Sequence, residues 1–199
     1  MPPNSFGGVV TSSRHELTII TNSADDLSWE ETMKNLQKTK DWLEMALDDM
    51  QDALADFGDS RYPSSVFHSQ QCAEKLLKSV LYFFGIFHEK THFPSDLLAG
   101  EILNRPETTR DLTLSKDQIG FLLAMADNAA SIEKQRSMPR YGWETRDRII
   151  KPSEIYDEDK AREIMDRSKT VLAAAHGFFS TLGANELQGV LLRMDQCLR

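Results

Sequence analysis

FHSQQCAEKLLKSVLYFFG, the stretch from Phe67 to Gly85, combines two stripes of opposite character. Its apolar residues recur at intervals of three and four, which is the spacing of one helix face. They are Ala73, Leu76, Leu77, Val80, Leu81 and Phe84. Four polar residues, Gln71, Glu74, Lys75 and Lys78, follow the same period on nearly the opposite face. The stretch predicts an amphipathic helix whose polar stripe is either solvated, with Glu74 paired to Lys78, or a binding surface.

Similar apolar periodicity predicts further helices on both sides of this stretch. Their expected first residues or caps are Trp29, Pro63, Pro94 or Ser95, Ser115 and Asp157. The helix from Trp29 ends near Gly58, and Pro139 with Gly142 breaks the helix that Ser115 begins. With no repeat and no second domain, the pattern predicts an all-α antiparallel up-and-down bundle of four to five main helices. We assign residues 1–27 to an irregular arm containing the β-prone LTIIT, 28–183 to the bundle, and 184–199 to a short C-terminal helix or tail.

The composition is that of one globular domain, because 40% of the 199 residues are hydrophobic and 27% are charged. No apolar run approaches the roughly 20 residues of a membrane span, and the start MPPNSFGGVV lacks the features of a secretory signal. The two cysteines, Cys72 and Cys197, lie far apart and form no CxxC pair. We therefore expect a cytoplasmic protein without a disulfide scaffold and without a cofactor.

The charge of the chain is unevenly distributed. The net charge of −8 disfavours indiscriminate binding of nucleic acid. Residues 134–151, however, carry six cations against two carboxylates, a local net charge of +4. Taken alone, this basic segment is equally well explained as a solvated loop.

Several catalytic templates are absent from the sequence. It contains no GxxxxGK[ST], GxGxxG, HExxH or GxSxG motif. His88 and His92 are four residues apart but lack cysteine or carboxylate partners at the spacing of a metal site. We therefore predict no metal site.

The order of features from Trp29 to Leu182 resembles the HEPN domains, the nucleotide-binding helical bundles of prokaryotes and higher eukaryotes. Their second long helix carries a Gln-x-x-Glu-Lys core and a further lysine. After this helix come a Lys-Thr-His turn, then an Arg-Tyr pair, and finally the lead-in to a closing helix. The matching residues are Gln71, Glu74, Lys75, Lys78, Lys90, Thr91, His92, Leu97, Leu98, Arg140, Tyr141, Pro152, Glu154, Tyr156 and Ala161. The resemblance implies an up-and-down bundle that often forms a dimer.

The resemblance also implies a nucleotide site. Its residues would be Gln71, Glu74, Lys75, Lys78, His92, Arg140 and Tyr141. In such a site the lysines and the arginine would bind phosphate oxygens, and Tyr141 or Trp143 would stack on a base. Gln71 would bond to a base edge or ribose, His92 would contact phosphate or brace its loop, and Glu74 would orient a lysine.

Many proteins of this kind are encoded beside a minimal nucleotidyltransferase and act with it. They serve as a substrate-binding subunit or as the toxin of a toxin–antitoxin pair. Our first hypothesis is therefore a protein that binds a nucleotide or an RNA end and cooperates with such a partner.

Two alternatives remain open. Other members are metal-independent ribonucleases marked by Arg-x(4–6)-His near the end of the third long helix, but no histidine follows Arg140 at those positions. The chain has one such match, from Arg61 to His68, at the start of the second helix. A ribonuclease toxin using Arg61, His68 or His92 is the first alternative, so whether this chain alone is an enzyme is left open. The second is a non-catalytic interaction module in which the polar stripe forms a homodimer interface.

Overall fold

The structure, a computed structural model, describes residues 29–86, 93–104 and 114–199. In chain order its elements are α1 (Trp29–Gly58), α2 (Tyr62–Phe83), α3 (Pro94–Asn104), α4 (Lys116–Glu133), α5 (Met138–Tyr141), β1 (Trp143–Glu144), β2 (Ile149–Ile150), α6 (Pro152–Ile155), α7 (Glu158–Thr181), a 3₁₀ turn (Asn185–Leu187) and α8 (Gln188–Leu198). The predicted all-α bundle is confirmed. The predicted arm of residues 1–27, with LTIIT, and His88, Lys90, Thr91 and His92 lie outside the described residues.

Helix α2 lies at the centre of the bundle. It packs against α1 along its length and against α7, α4 and α3 on its other sides. Its apolar stripe is the core face that the sequence predicts. Five side chains of that stripe have no or almost no exposure, namely Ala73, Leu76, Leu77, Val80 and Leu81, while its sixth, Phe84, is partly buried against the core and the adjacent Cys72 is fully buried. The opposite polar stripe is thereby left at the edge of the core, where it can line a site.

Aromatic rings close one end of the core, where α2 meets α7. Phe83, Phe178 and Phe179 contact one another edge to face, with ring centres 5.2 to 5.9 Å apart. Because such ring pairs contribute beyond their buried area, this cluster is a strong contact between the two helices.

The helix ends follow the capping residues expected from the sequence. The Ser115 hydroxyl accepts a hydrogen bond from the Gln118 backbone N–H, and the Gln118 side chain accepts one from the Ser115 N–H, which forms a capping box. Asp157 accepts from the backbone N–H of Lys160 over 2.9 Å at the start of α7. Gly85 follows α2 with a φ of +69°.

The segment between α4 and α7 contains more structure than the sequence predicts. It holds two one-turn helices and an antiparallel hairpin in which Trp143 pairs with Ile150 and Glu144 with Ile149. Gly142 joins α5 to the hairpin with a φ of +75°, and a Cβ there would lie 2.1 Å from the Ile150 carbonyl oxygen. These elements are too short to produce a hydrophobic period, so the sequence showed only a helix break at Pro139 and Gly142.

Helix α8 completes the bundle at the C-terminal end. It packs against α7 and α1. Leu187, just before it, and Val190 and Met194 within it are buried. Arg193 of α8 also pairs with Asp48 of α1 over 2.9 Å.

Within the described ranges, no helix combines the length and the apolar character needed to cross a membrane.

Candidate functional site

A groove with a cavity of about 360 Å³ opens between α2, the start of α3 and the turn that joins α4 to α5. We call it the groove. Its lining residues are Phe67, Gln70, Gln71, Glu74, Phe93, Glu133, Arg136, Ser137, Arg140 and Tyr141. Its volume lies in the range of small-molecule sites, and its lining mixes aromatic rings, amides and charges.

Two arginines of the groove lie beside aromatic rings. The Arg140 guanidinium is 5.0 Å from the centre of the Phe67 ring and 5.3 Å from that of Tyr141, and Arg136 is 5.7 Å from that of Phe93. Within the described part of the chain, neither arginine forms an ion pair with a carboxylate. Both therefore keep a positive charge and a planar set of donors available to an anion.

Glu74, the carboxylate that α2 contributes to the groove, is paired with a lysine of the same helix. Lys78 donates to Glu74 over 2.5 Å, and each side chain is less than one-fifth exposed. Lys78 also lies 5.1 Å from the centre of the Trp42 ring, on the α1 side. The charge of Glu74 is thereby compensated, which reduces its repulsion of an anion in the groove.

Glu133 joins the groove to the start of α3. It is 6% exposed and accepts hydrogen bonds from the backbone N–H of Ser95, over 3.1 Å, and from the Ser95 hydroxyl. Burial raises the pKa of Glu133 although these bonds oppose the shift. The contact holds the first turn of α3 next to α4 and so positions Phe93 at the edge of the groove.

A buried tyrosine supports the turn that carries Arg136 and leads into α5, the helix of Arg140. Tyr156 is 1% exposed, and its hydroxyl donates to the Gln135 side-chain oxygen over 3.1 Å. Burial raises the pKa of Tyr156 to about 12, so the hydroxyl remains a donor throughout the physiological range. Arg136, the next residue in that turn, adopts a φ of +49°, and Pro139 is buried.

A second charged group, the α1–α2 cluster, lies along the seam between those helices. Lys75 donates to Asp49, and His68 Nδ1 lies 3.3 Å from an oxygen of the same carboxylate. Arg61 binds Asp56 through Nε at 2.8 Å, and His68 Nε2 lies 3.9 Å from Asp56. Each basic side chain of this cluster thus lies against a carboxylate.

The structure brings together four of the seven predicted nucleotide-binding residues. Gln71, Glu74, Arg140 and Tyr141 line the groove. Lys75 and Lys78 belong to the same helix but are bound to Asp49 and Glu74, and neither lines the cavity. His92 lies outside the described residues. The assignment of the seven residues to a nucleotide site stays a prediction.

The groove also contains residues that the sequence analysis missed. They are Phe67, Gln70, Phe93, Glu133, Arg136 and Ser137. Phe67 and Gln70 lie seven and four residues before Glu74, so helical spacing alone could have added them to the stripe. Arg136 belongs to the basic segment. No sequence signal distinguishes Glu133 from a solvated residue at a helix end.

Over the ranges that the structure describes, no group of three or more His, Cys, Asp or Glu side chains is arranged to hold a metal ion.

These features define an all-α bundle with a cation-bearing groove beside its second helix. The model of the HEPN domain matches residues 39–177, and the chain belongs to the HEPN domain family. The resemblance deduced from the motifs is thereby confirmed. The chain is also 28% identical over 144 residues to a protein of Methanocaldococcus jannaschii named "Putative toxin MJ1304", covering 72% of this chain and 90% of that one. No solved structure matches the chain significantly.

Proposed function

We propose that this protein binds a nucleotide or the end of an RNA in the groove. The observation that carries the proposal is the pairing of Arg136 and Arg140, which lack carboxylate partners among the described residues, with three aromatic rings in one nucleotide-sized cavity. A nucleotide presents the matching chemistry, because it combines phosphate oxygens with a flat aromatic base.

Each part of the groove suits one part of a nucleotide. Arg140 binds phosphate through its planar fork, and Arg136 adds a second positive charge. The exposed Tyr141 ring offers a stacking face for a base. Gln70 and Gln71 present amides that both donate and accept hydrogen bonds, as base edges and ribose hydroxyls do.

The biological setting that we propose is that of a toxin–antitoxin-like pair. The similarity to a protein named as a toxin supports this setting, and the family resemblance supports a minimal nucleotidyltransferase as the partner. In that pair the protein serves as the substrate-binding subunit or as the toxin. From the same resemblance we propose a cytoplasmic homodimer.

The ribonuclease alternative is less well supported at Arg61 and His68. His68 lies within 4.0 Å of three carboxylates, those of Asp49, Asp52 and Asp56, and Arg61 is bound to Asp56. A phosphodiester would have to approach these carboxylates, and the like charges repel. Of the two carboxylates that line the groove, Glu74 is paired with Lys78 and Glu133 accepts hydrogen bonds from Ser95, and neither arginine forms an ion pair among the described residues, so the groove is the better site for an anionic ligand.

The test is a calorimetric titration of the purified protein with ATP, GTP and a short single-stranded RNA. We expect saturable binding of at least one of them, and Arg140→Ala should weaken it about ten-fold or more, since a hydrogen bond to a charged group is lost. Arg167→Ala is the control, because Arg167 pairs with Glu163 on the exposed side of α7. Absence of binding by the folded wild-type protein would overturn the proposal. RNA cleavage without added metal that His68→Ala abolishes would establish the ribonuclease alternative instead.

A further inference from the structure

The hairpin of residues 143–150 projects next to the groove and carries an exposed tryptophan. Trp143 is 54% exposed, and its ring contacts no other ring and no cation among the described residues. Tryptophan is enriched among the residues that carry most of the energy of binding surfaces. The hairpin therefore presents a large flat apolar face to the solvent.

The residue that carries this ring is close in the chain to the groove. Tyr141 lines the groove and is 66% exposed. Trp143 follows it by two residues, so the two Cα atoms lie within about 7 Å of each other. A ligand that leaves the groove past Tyr141 therefore reaches Trp143 within the length of one or two nucleotides.

The hairpin itself carries two cations, Arg146 and Arg148, and two carboxylates, Glu144 and Asp147, whereas Arg140 before it and Lys151 after it give residues 140–151 a net charge of +2. Arg146 at the turn has no carboxylate partner within the described ranges, whereas Arg148 is paired with Glu154 over 2.9 Å. The register of the strands places Glu144 opposite Ile149 and Trp143 opposite Ile150. Because side chains alternate along a strand, the carboxylate of Glu144 points to the face opposite the Trp143 ring. Trp143 can thus meet a phosphate backbone without a carboxylate beside it on its own strand.

We infer that the hairpin is a second subsite that selects single-stranded RNA over a free nucleotide. This inference rests on the proposed function, since the groove then holds the terminal nucleotide. The next base stacks on Trp143, and Arg146 binds the backbone phosphate that follows. Exposed rings interleaved with cations are the arrangement by which proteins bind single strands without sequence preference.

The interleaving of rings and cations distinguishes this surface from a protein interface. Trp143 and Ile149 are both exposed but lie on opposite faces of the two-stranded ribbon. The cross-strand neighbour of Trp143 on its face is Ile150, which is partly buried, so the exposed apolar surface there is chiefly the one ring and is smaller than a stable protein contact requires. An RNA strand needs only the one ring and the neighbouring positive charge.

The test compares the affinity for the four nucleoside monophosphates with the affinity for a 5′-phosphorylated single-stranded RNA of about six nucleotides, a typical length for such sites. The wild-type protein should bind the RNA more tightly than any monophosphate. Trp143→Ala should weaken RNA binding about ten-fold and leave monophosphate binding unchanged, because Tyr141 lines the groove and Trp143 does not. Arg146→Ala should also weaken RNA binding and make its dependence on salt concentration shallower.

Two variants control for effects on folding and on apolar surface. Trp143→Ile keeps a strand-forming apolar residue but removes the stacking face, so it should lose RNA affinity as Trp143→Ala does. Leu192→Ala removes an exposed apolar side chain from α8 and should bind RNA as the wild type does.

The outcomes separate this inference from the proposed function. If the wild type binds monophosphates and the Trp143 and Arg146 variants bind RNA as tightly as the wild type does, the inference is overturned. The proposal that the groove binds a nucleotide would then still stand. A change of oligomeric state in Trp143→Ala, measured by light scattering, with unchanged RNA affinity would also overturn it and identify a protein interface. Failure of the wild type to bind either probe would overturn the proposed function itself.

Discussion

The guanidinium of Arg140 lies 5.0 Å from the centre of the Phe67 ring, and this contact joins α5 to the first half of α2. An arginine over the face of an aromatic ring is attracted by the electrons of that ring. Phe67 therefore restrains a flexible side chain in the position where it lines the groove. This restraint lowers the entropy that Arg140 loses when it binds a ligand.

Phe67→Leu should consequently weaken nucleotide or RNA binding while Arg140 itself remains. An exposed cation–π contact contributes about 0.5–1 kcal/mol, so we expect a loss of affinity of about two- to five-fold. Calorimetric titration measures it. The matched control is Phe57→Leu, which removes the same kind of contact, with Arg162 at 4.8 Å, outside the groove lining. Equal losses in both variants would contradict the positioning role of Phe67.

The free energy of unfolding of the Glu133→Gln variant, minus that of the wild type, should increase as the pH rises. Burial raises the pKa of Glu133 above its ordinary value of 4.5, so the folded protein holds this proton more tightly than the unfolded chain. The contribution of Glu133 to stability therefore falls as the pH rises from about 4.5 through its folded-state pKa. Glutamine does not titrate, and its amide can still bond to Ser95.

Urea unfolding of both proteins at about pH 4 and about pH 7 measures this difference. The unfolding free energy of the variant minus that of the wild type should increase between the two values. Glu186→Gln is the control, because Glu186 is exposed: it shows how much the difference in unfolding free energy changes with pH when a surface carboxylate is replaced. A difference that is the same at both pH values would refute the prediction.

Asp56→Asn should have the opposite pH dependence. Burial would raise the pKa of Asp56, but hydrogen bonds with Ser64 and Arg61 and the charge of Arg61 outweigh it, so the pKa falls below 3.8. The stabilisation from Asp56 is therefore present above pH 3.8 and is lost as the pH falls through the folded-state pKa. We expect the variant to be less stable by about 1–3 kcal/mol at neutral pH.

The control for this prediction is Asp59→Asn. Asp59 binds the same Arg61 over 3.1 Å, but its side chain is 63% exposed, so its replacement should cost less than about 1 kcal/mol. Urea unfolding down to the lowest pH at which the protein stays folded gives both values. If Asp59→Asn lowers the free energy of unfolding as much as Asp56→Asn does, the burial of Asp56 is not the reason for the larger effect that we expect of Asp56→Asn.

Gly142→Ala should destabilise the protein and displace the hairpin. The backbone at this position has a φ of +75°, which is unfavourable for alanine. A Cβ there would also clash with the Ile150 carbonyl oxygen unless the backbone moved. We expect a cost of about 1–3 kcal/mol and weaker ligand binding, because Arg140 and Tyr141 directly precede the glycine. Gly189→Ala in α8 is the control, since a Cβ there meets nothing within 4 Å. Thermal unfolding that is unchanged in Gly142→Ala would contradict the assigned strain.

The sequence by itself determined the helices and most of their ends. Apolar spacing identified α2 and its core face, and Ser115 and Asp157 marked the starts of α4 and α7, because periodicity and capping depend on residues within one or two turns. The ordered motifs then indicated the family, which the domain model confirms.

Only the tertiary structure decided which polar residues meet. Phe67 and Arg140 are neighbours because α2 packs beside α5, and no local pattern encodes that distance. Lys75 and Lys78 share one stripe with Gln71, yet each is held by a carboxylate, and the carboxylate that holds Lys75 belongs to α1. Helical spacing states which side chains share a face. Which partner each of them binds depends on how the helices pack, and that is a property of the whole bundle.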